Sequence, residues 1–237
     1  MFSRTTALLG EKSMAQLQSV RVILFGIGGV GSWCAEALVR TGLTHLTIVD
    51  DDIVQASNIN RQLPATQETI GRPKVEVLRE RLLSINPEAE IIAIQQRYTT
   101  ETSFNFPYGA SRSVELSTFN FIIDAIDDVP AKTDLIIRAS RVRGAKVFSS
   151  MGAALRFDPT QVRVAELFDV KGDALAKAVR ARMKKLDLKP SKKIRCVYSL
   201  EQAQRCESRG SLMQVTAVFG LTLASLVINA IRSQAKL

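Results

Sequence analysis

Residues 26–32 read GIGGVGS, directly after the apolar run VRVILF and before the helical pattern WCAEALVR. An apolar strand, a glycine-rich turn and a helix in this order predict the first unit of a Rossmann-like fold. Gly26 allows the tight turn from strand to helix, while Gly28 and Gly29 let the backbone approach a ligand. Gly31 permits close packing of the helix. Because free N–H groups at the start of a helix attract phosphate, the stretch predicts a nucleotide site.

The same alternation of strand and helix continues as far as residue 150. Short runs rich in β-branched or aromatic residues recur as HLTIV, EIIAI, FNFIIDAI and AKVFSS, and two segments with helical periodicity, GSWCAEALVRTG and KVEVLRERLLSI, lie among them. We therefore predict an α/β fold with a Rossmann-like, doubly wound, mostly parallel sheet. Residues 103–119 mix Pro, Gly and Ser, which predicts a loop with a short helix.

The pattern changes after residue 150, and we expect residues 151–237 to form a C-terminal part of the same domain. Residues 151–168 contain two alternating runs around DPTQ, which predict a hairpin. The stretch ALAKAVRARMKKL has apolar residues every three to four positions, which predicts an amphipathic helix with a basic outer face. Residues 211–231 carry no charge. They are long enough to span a bilayer, but their Gln, Asn, Ser and Thr residues favour a helix buried in the core or at a dimer contact.

Positive charge is concentrated in one segment of this C-terminal part. The chain has a formal net charge of +9 and a pI of about 9.7, and residues 171–195 supply +8 of it through ten cations and two aspartates. Such a segment suits the phosphate backbone of a nucleic acid, although a solvated charged helix shows the same pattern. The cations that we predict to bind nucleic acid are Lys177, Arg180, Arg182, Lys184, Lys185, Lys192 and Lys193.

The cysteines indicate a reducing compartment. Cys34, Cys196 and Cys206 include no CxxC pair, so they predict neither a disulfide framework nor a zinc knuckle. No cationic and apolar secretory pattern opens the chain. We therefore expect a cytoplasmic protein without a membrane segment. Cys206 lies between basic residues that could lower its pKa, which makes it a candidate reactive thiol.

Polar residues after the next strands suit a triphosphate better than a dinucleotide. Asp50, at the end of the second strand, is positioned to accept hydrogen bonds from ribose hydroxyls. Asn58, Arg61 and Lys74 add polar and cationic groups where a dinucleotide site needs none. Asp127 follows a buried strand, at the edge where open α/β sheets bind ligands, and a carboxylate there can hold Mg²⁺ against phosphate oxygens. Each residue alone could merely cap a turn or begin a helix, but together they favour a triphosphate with a carboxylate that can hold Mg²⁺.

These motifs form a set that resembles a known family over residues 1–150. GxGGxGS, IVDDD, SNxNRQ, GxPKVE, INP and DAIDD together are similar to the ubiquitin-activating-enzyme-like adenylyltransferases, the ThiF and MoeB type. The resemblance implies that adenosine and phosphates bind to Gly26, Gly28, Gly29, Gly31, Asp50 and Asp52. It also implies that Asn58, Arg61 and Lys74 line the triphosphate, and that Arg61 and Lys74 take part in catalysis together with Asp127 and Arg4. Asp127 would hold Mg²⁺, and Arg4 would reach the ATP of the partner in a homodimer.

The second half of the chain resembles one branch of that family. Members that activate sulfur carrier proteins usually have two zinc-binding CxxC pairs, which this sequence lacks. Instead RFDPTQVRVAEL, the basic helix, RCVYSLE and VTAVFGLTLAS resemble the tRNA threonylcarbamoyladenosine dehydratases, so that the resemblance covers nearly the whole chain as a single ThiF-type domain. It implies a tRNA partner and an ATP-dependent closure of the threonylcarbamoyl group into a ring. Residues 151–237 would then serve substrate binding and dimerisation.

Other functions stay open on the sequence alone. Some relatives have a cysteine near the position of Cys206 that accepts sulfur, which adds a cysteine desulfurase system as a candidate partner. An adenylyltransferase could instead activate the C-terminal Gly-Gly of a ubiquitin-like sulfur carrier. A nicotinamide-dependent dehydrogenase or a non-catalytic RNA-binding module is the third alternative, but it leaves the triphosphate residues and Asp127 without a role.

Overall fold

The fold begins with two helices that the sequence patterns did not indicate. A computed structural model describes residues 1–102, 105–108, 112–204 and 210–235. The two helices, α1 (Ser3–Leu9) and α2 (Glu11–Ser19), precede the first strand. α2 buries part of its apolar face, whereas the seven described residues of α1 include none that is buried. α1 therefore lies on the surface.

Nine strands and five helices follow in the described residues. They are β1 (Arg21–Phe25), α3 (Gly31–Thr41), β2 (His45–Val49), α4 (Lys74–Ile85), β3 (Glu90–Ile94), β4 (Asn105–Tyr108), β5 (Arg112–Glu115), β6 (Phe121–Asp124), α5 (Val129–Arg141), β7 (Lys146–Ser150), β8 (Val162–Glu166), α6 (Ala174–Lys185), β9 (Arg195–Ser199) and α7 (Met213–Ala235). Seven strands form one sheet in the order β3-β2-β1-β6-β7-β9-β8. All neighbours pair in parallel except β8 and β9.

The strand order reverses at β1, which lies between β2 and β6. Phe25 of β1 is in register with Val49 of β2 and with Asp124 of β6. The carboxyl ends of these three strands are therefore level. Because ligands of open α/β sheets bind where the strand order reverses, the residues that follow these strands meet at the expected binding edge.

Helices cover both faces of the sheet, which confirms the doubly wound prediction. On β1, Val22 and Leu24 join a core that also contains apolar residues of α2, α3, α4 and α7. Ile23 and Phe25 point to the opposite face, into a core that contains residues of α5 and α6. Successive side chains of a strand point to opposite faces, so a strand buried on both faces becomes a continuous apolar run such as VRVILF.

The hairpin predicted over residues 151–168 is wrong. Only the second run forms a strand, β8, and its partner is the distant β9 in an antiparallel pair. The first run cannot pair with β8 because other bonds hold its backbone: Arg156 donates to the carbonyl oxygens of Gly152 and Glu201. The N–H of Phe157 also donates to the Glu201 carboxylate. Alternating hydrophobicity gives no indication of bonds made by a buried arginine.

The predicted loop over residues 103–119 is correct only in part. β4 and β5 pair as a separate two-stranded antiparallel sheet, and a short 3-10 helix follows at Leu116–Thr118, as predicted. Residues 103, 104 and 109–111 lie outside the described residues. Pro107, which indicated a loop, is compatible with a strand because each strand of a two-stranded sheet has a free edge.

The two predicted C-terminal helices are present. α6 buries Ala176, Val179 and Met183 on one face, as an amphipathic helix should. α7 is long and apolar enough to cross a membrane, but 56% of its most apolar window is buried within the protein, which confirms the buried helix. A Cβ atom at Gly220 would lie 2.3 Å from the carbonyl oxygen of Val30, so α7 crosses the start of α3 in close backbone contact.

Candidate nucleotide-binding site

A cleft opens where the ends of β1, β2 and β6 meet. Its volume is about 810 Å³, which lies within the range of small-molecule sites. One wall consists of the glycine loop and the segments after β2, and the opposite wall consists of residues 151–156 and the first turn of α6. The predicted ATP and Mg²⁺ residues that line the cleft are Gly26, Gly28, Gly29, Asp50, Asp52, Asn58, Arg61, Lys74 and Asp127.

The glycines of the loop have two different functions. Gly26 has a φ angle of +89°, and a Cβ atom there would lie 2.7 Å from the carbonyl oxygen of Ala125. A Cβ atom at Gly31 would lie 1.8 Å from the carbonyl oxygen of Gly26. Gly26 and Gly31 are therefore required by the turn itself. At Gly28 the nearest atom to an added methyl group would be Nε2 of Gln62 at 3.8 Å, so this glycine leaves open space for a ligand.

Asp50 is fixed beneath the glycine loop. Its carboxylate accepts the backbone N–H of Ile27 at 2.5 Å and that of Asp52 at 2.9 Å. Burial raises the pKa of the Asp50 carboxyl, and these two bonds and the charge of Lys74 oppose the rise without cancelling it. The carboxylate is held at the end of β2, where it can accept hydrogen bonds from a ribose.

Lys74 is buried at the start of α4 and points to the same edge. Its Nζ donates to Oδ2 of Asp52 at 2.7 Å, and its backbone N–H donates to the carbonyl oxygen of Asp52. The lysine side chain is only 4% exposed, whereas that of Asp52 is 63% exposed. An exposed carboxylate can turn towards solvent, so a phosphate oxygen can replace it as the partner of the fixed ammonium group.

Asn58 and Arg61 belong to one turn after β2. Oδ1 of Asn58 accepts the backbone N–H of Gln55 at 3.1 Å, and the carbonyl oxygen of Asn58 accepts the N–H of Arg61. Nη1 of Arg61 donates to the carbonyl oxygen of Ser57. The indole of Trp33 binds the carbonyl oxygen of Arg61, which attaches the turn to α3. Asn58 therefore caps the turn as well as lining the cleft.

The segment after β6 separates a structural aspartate from an accessible one. Asp124 is fully buried, and its Oδ2 accepts Nζ of Lys132 and Oγ of Ser149, each at 2.6 Å. Its Oδ1 accepts the backbone N–H of Ile126, which fixes the segment that carries Asp127. Asp124 is therefore a positioning group.

The carboxylate of Asp127 is exposed to the cleft. Asp128, and not Asp127, is the N-cap of α5, because it accepts the N–H of Ala131 at 2.9 Å. The oxygens of Asp50, Asp51 and Asp52 also lie within 4.8 Å of one another. Carboxylate oxygens are the ligands that Mg²⁺ prefers, so the exposed Asp127 carboxylate is chemically suited to hold a magnesium ion, although the three-aspartate group does not include it.

The geometry of the cleft also fits ATP. Gly28, with its open face, the carboxylate of Asp50 and the buried ammonium of Lys74 all line the cleft on the β1 and β2 side. An unpaired buried acceptor, Oε1 of Gln62, lies on the same wall. These groups suit a ribose and phosphates, and the cleft also extends to the β7 side, where residues 151–156 leave room for a second substrate.

Several residues that line the cleft were not predicted from the sequence. They are Gln62, the segment from Gln96 to Tyr98, the segment from Met151 to Arg156, and Asp173. The one available signal was Arg156 within the apolar stretch MGAALRF, since a buried arginine requires a partner. Its partner is Asp173. Their separation of 17 residues matches no helix or strand periodicity, so the sequence does not indicate the pair.

The predicted nucleic-acid residues differ in their surroundings. Lys177, Lys184 and Lys185 are exposed, Arg182 is half-buried and Lys193 is 86% exposed. Arg180 instead donates to the carbonyl oxygens of Leu167 and Val170, and Lys192 donates to those of Val142 and Ala145. Burial lowers the pKa of Lys192. The cationic groups of Arg180 and Lys192 therefore hold the fold together, in addition to any charge that they present to a ligand.

Two further predicted residues lie elsewhere in the chain. Arg4 is exposed on α1, outside the cleft of its own chain. Cys206 lies outside the described residues. Cys34 and Cys196 are free thiols, and burial raises the pKa of both.

Comparison of the sequence with known proteins identifies its relatives. The ThiF family profile matches residues 2–236. The tRNA threonylcarbamoyladenosine dehydratase of Bacillus subtilis is 37% identical over 201 residues, which cover 84% of this chain and 74% of that protein. The sulfur carrier protein ThiS adenylyltransferase of Escherichia coli is 40% identical, but over 95 residues that cover 40% of this chain and 37% of that protein. Similarity to the dehydratase thus spans most of the chain, whereas similarity to the adenylyltransferase does not.

Solved structures agree with the sequence comparison. The E. coli tRNA N6-threonylcarbamoyladenosine dehydratase, TcdA, in complex with ATP has a TM-score of 0.87 and 32% identity, over 99% of this chain and 95% of that chain. Its complex with AMP has a TM-score of 0.88. The seven-stranded sheet, the glycine loop at its switch point and the match over nearly all residues show that the chain belongs to the ThiF family.

Proposed function

We propose that this protein is an ATP-dependent tRNA threonylcarbamoyladenosine dehydratase, which removes water from the modified nucleoside and closes it into a ring. The observation that carries the proposal is the position of α6. Its first turn lines the nucleotide cleft, and its last turn carries Arg182, Lys184 and Lys185. Relatives of that name match most of the chain, and TcdA has been solved with ATP and with AMP.

The chemistry follows from the poor reactivity of a carboxylate. The threonyl carboxylate oxygen attacks the α-phosphorus of ATP, the bond to the β-phosphate oxygen breaks, and pyrophosphate leaves. The neighbouring carbamoyl nitrogen then attacks the acyl carbon, loses its proton, and displaces AMP. One oxygen of the substrate leaves in AMP, so the nucleoside loses one water. Both reacting groups belong to one nucleoside, so ring closure depends mainly on positioning and exclusion of water.

The residues of the cleft supply charge and orientation. Lys74 and Arg61 would stabilise the charge that develops on the phosphates as the α-phosphorus is attacked. Asp50 would orient the ribose, and the open face of Gly28 would let backbone N–H groups approach the phosphates. Magnesium bound at Asp127 would neutralise phosphate oxygens. Lys74 can perform this function because its ammonium is already fixed by burial and by the exposed carboxylate of Asp52.

Transfer of AMP to a sulfur carrier protein is the alternative within the same family. It uses the same nucleotide cleft but a protein tail that ends in Gly-Gly. The two zinc-binding cysteine pairs that usually accompany that function are absent from the 237-residue sequence. The local excess of +8 over residues 171–195 has no function towards a short neutral tail, whereas it suits the phosphates of tRNA.

The test is an ATP-to-AMP assay on the purified protein with tRNA that carries threonylcarbamoyladenosine, compared with unmodified tRNA. We expect AMP and pyrophosphate with the modified tRNA only, together with a nucleoside whose mass is lower by one water. Asp127→Ala should abolish this turnover and leave tRNA affinity unchanged, because Asp127 lies in the cleft and not on α6. Asp169→Ala is the matched control, since Asp169 is exposed and outside the cleft.

Formation of AMP without a change in the nucleoside would contradict the dehydratase proposal. The next substrate to test would then be a carrier protein with a Gly-Gly end. If Asp127→Ala kept full activity, Asp127 would not be a magnesium ligand, but the proposed dehydratase reaction would still stand.

We further propose that the enzyme acts in the cytoplasm as a homodimer and that Cys206 is not required for ring closure. The scheme contains no thiol step, so Cys206→Ser should retain the turnover of the unaltered protein. The measurement is the same AMP and nucleoside-mass assay. A large loss in this variant would instead favour a thiol function and a desulfurase partner. Cys34 and Cys196 are buried with raised pKa values, so they do not offer an alternative thiol.

A further inference from the structure

A buried ion pair holds the wall of the cleft that faces the glycine loop. Nη2 of Arg156 lies 3.0 Å from Oδ2 of Asp173, and the two side chains are 3% and 0% exposed. The reaction scheme above assigns neither residue a part. Burying two charges is costly unless further hydrogen bonds satisfy both groups, so their other partners indicate what the pair connects.

Asp173 connects the wall to the basic helix. Its Oδ1 accepts the backbone N–H of Ala176 at 2.9 Å and so caps the N-terminus of α6. Its Oδ2 accepts the N–H of Gly152 at 3.1 Å as well as Nη2 of Arg156. One carboxylate therefore ties the segment after β7 to the first turn of α6.

Arg156 ties the same segment to the end of β9. Its Nε donates to the carbonyl oxygen of Glu201 at 3.1 Å, and its Nη1 donates to the carbonyl oxygen of Gly152. The guanidinium thereby closes residues 152–156 into a loop around itself. With Asp173 bound to the same loop, residues 151–156 and the start of α6 form one hydrogen-bonded unit.

In the proposed reaction this unit would lie beside both substrates. Ala174, Leu175 and Ala178 of α6 line the cleft, while the cations of its last turn lie at the other end of a helix that rises about 1.5 Å per residue. The ribose and phosphates of ATP would lie on the β1 and β2 side, where Asp50, Gly28 and Lys74 line the cleft. A nucleoside that attacks the α-phosphate must therefore approach from the β7 side, along the wall that Arg156 and Asp173 hold.

We infer that Arg156 and Asp173 are positioning residues, which fix α6, and with it the bound tRNA, in register with the nucleotide cleft. The inference rests on the proposed function. Neither side chain is exposed enough to touch tRNA, and both act through the segment 151–156 and through α6. Loss of the pair should misplace the reacting carboxylate without removing any ATP-binding or tRNA-binding group.

Asp173→Asn tests the pair and spares the helix cap, because asparagine caps helices as well as aspartate does. We expect kcat for cyclisation to fall about 10- to 100-fold, since a displacement of about 1 Å has an effect of that size. KM for ATP and Kd for tRNA should stay within about twofold, because the glycine loop and the lysines are unchanged. The matched control is Asp158→Asn, which alters an N-cap carboxylate outside the cleft and should leave all three values unchanged.

A merely structural function would give a different result. It would lower the melting temperature and the fraction of folded protein, with kcat per folded molecule unchanged, and that outcome would overturn the inference. Arg156→Met and the double variant with Asp173→Asn provide a second readout. If the two residues act as a unit, kcat of the double variant should be no lower than that of the less active single variant. If the fold losses in kcat of the two single variants instead multiply in the double variant, the inference is overturned. If Arg156→Met does not fold, the comparison of Asp173→Asn with Asp158→Asn decides.

Failure of the proposed function would be recognised separately. If the unaltered protein removes no water from modified tRNA, the dehydratase proposal fails. The claim that the pair positions tRNA fails with it, and amide hydrogen exchange in the full chain then decides the remaining claim, that the pair holds α6 against residues 151–156. Exchange at residues 174–178 should be faster in Asp173→Asn than in Asp158→Asn, and equal rates would overturn it.

Discussion

At the scale of single residues, alanine substitution can distinguish the functions of two glycines in the nucleotide loop, Gly28 and Gly31. Gly31→Ala should destabilise the protein strongly, because its Cβ atom would lie 1.8 Å from the carbonyl oxygen of Gly26. Gly28→Ala should fold, because the nearest atom to its Cβ would be 3.8 Å away. Its methyl group would enter the cleft, and we expect ATP affinity to fall about tenfold, or about 1.4 kcal/mol. Thermal unfolding and ATP titration calorimetry measure the two effects.

The opposite pattern would contradict this assignment. If Gly28→Ala lowered the melting temperature as much as Gly31→Ala, the loop would be uniformly constrained and the open face at Gly28 would not be a ligand surface. If Gly31→Ala folded and bound ATP normally, the close approach of the turn to α3 would have to relax without cost.

Residue types at strand ends could be predicted, but their partners could not. The sequence places Asp50, Lys74 and Asp127 after the correct strands, and all three line the cleft. That Lys74 binds Asp52, and that Asp124 binds Lys132, depends on how the chain between each strand and its next helix folds back in three dimensions. Asp124 is buried and positions the backbone, whereas Asp127 is accessible. This difference depends on the direction of each side chain, which the spacing of residues in the sequence does not specify.

At the scale of elements, Glu36 joins α3 to α4 and gives a pH-dependent stability. Its carboxylate is bound by Arg81 of α4 and by Arg40 of α3. Burial opposes its ionisation, but the bonds from Arg81 and Arg40 outweigh burial and lower the pKa of Glu36. The stabilisation is therefore present above pH 4.5, the ordinary pKa, and is lost as the pH falls through the lowered value. Glu36→Gln should cost about 1 kcal/mol at pH 7, because both arginines are partly exposed.

The measurement is urea unfolding of both proteins from pH 7 down to pH 3. The difference in free energy of unfolding should shrink as the pH falls. Glu80→Gln is the control, because Glu80 pairs with Arg72 where both side chains are about half exposed, and we expect no measurable change. A difference that stays constant with pH would show that packing of Glu36, and not its charge, links the helices.

The charge of α6 provides the second prediction at this scale. Lys184 and Lys185 are exposed in its last turn, so Lys184→Glu and Lys185→Glu should weaken tRNA binding. The slope of log Kd against log salt concentration should fall by about one for each phosphate that the variant no longer neutralises. Filter binding at several salt concentrations measures both. ATP affinity should not change, and Lys12→Glu, on the exposed face of α2, should leave tRNA binding intact.

Unchanged tRNA binding in the variant with both Lys184→Glu and Lys185→Glu would contradict a tRNA surface on α6 and would favour a charged helix that only faces solvent.

The secondary-structure elements could be predicted wherever one periodicity dominates, as in α6 and the parallel strands. The hairpin over residues 151–168 was not, because Arg156 binds the first run internally and leaves β8 to pair with β9. The buried hydrogen bonds of Arg156 determine this strand pairing, and a pattern of alternating hydrophobic residues gives no information about them.

At the scale of the whole molecule, the open question is how Arg4 could serve a nucleotide site. Arg4 is exposed on α1, a helix that buries none of its described residues, and it does not line the cleft of its own chain. Because Arg4 lies outside the cleft of its own chain, it can act on ATP only in the cleft of another copy. In a symmetric dimer each α1 would reach the partner's cleft, so that every site would contain residues of both chains.

Mixing two inactive variants tests this arrangement. Arg4→Ala and Asp127→Ala should each have little activity alone. In a mixed dimer, the chain with Arg4→Ala keeps Asp127 and receives Arg4 from its partner, so one of its two sites is complete. Equal mixing with free exchange gives about half mixed dimers, hence about one quarter of the original AMP formation. No recovery, in a mixture shown by sedimentation to contain dimers that exchange subunits, would place Arg4 outside the site. A stable monomer in sedimentation would exclude the arrangement altogether, whereas recovery near one quarter requires that the site be shared between two chains.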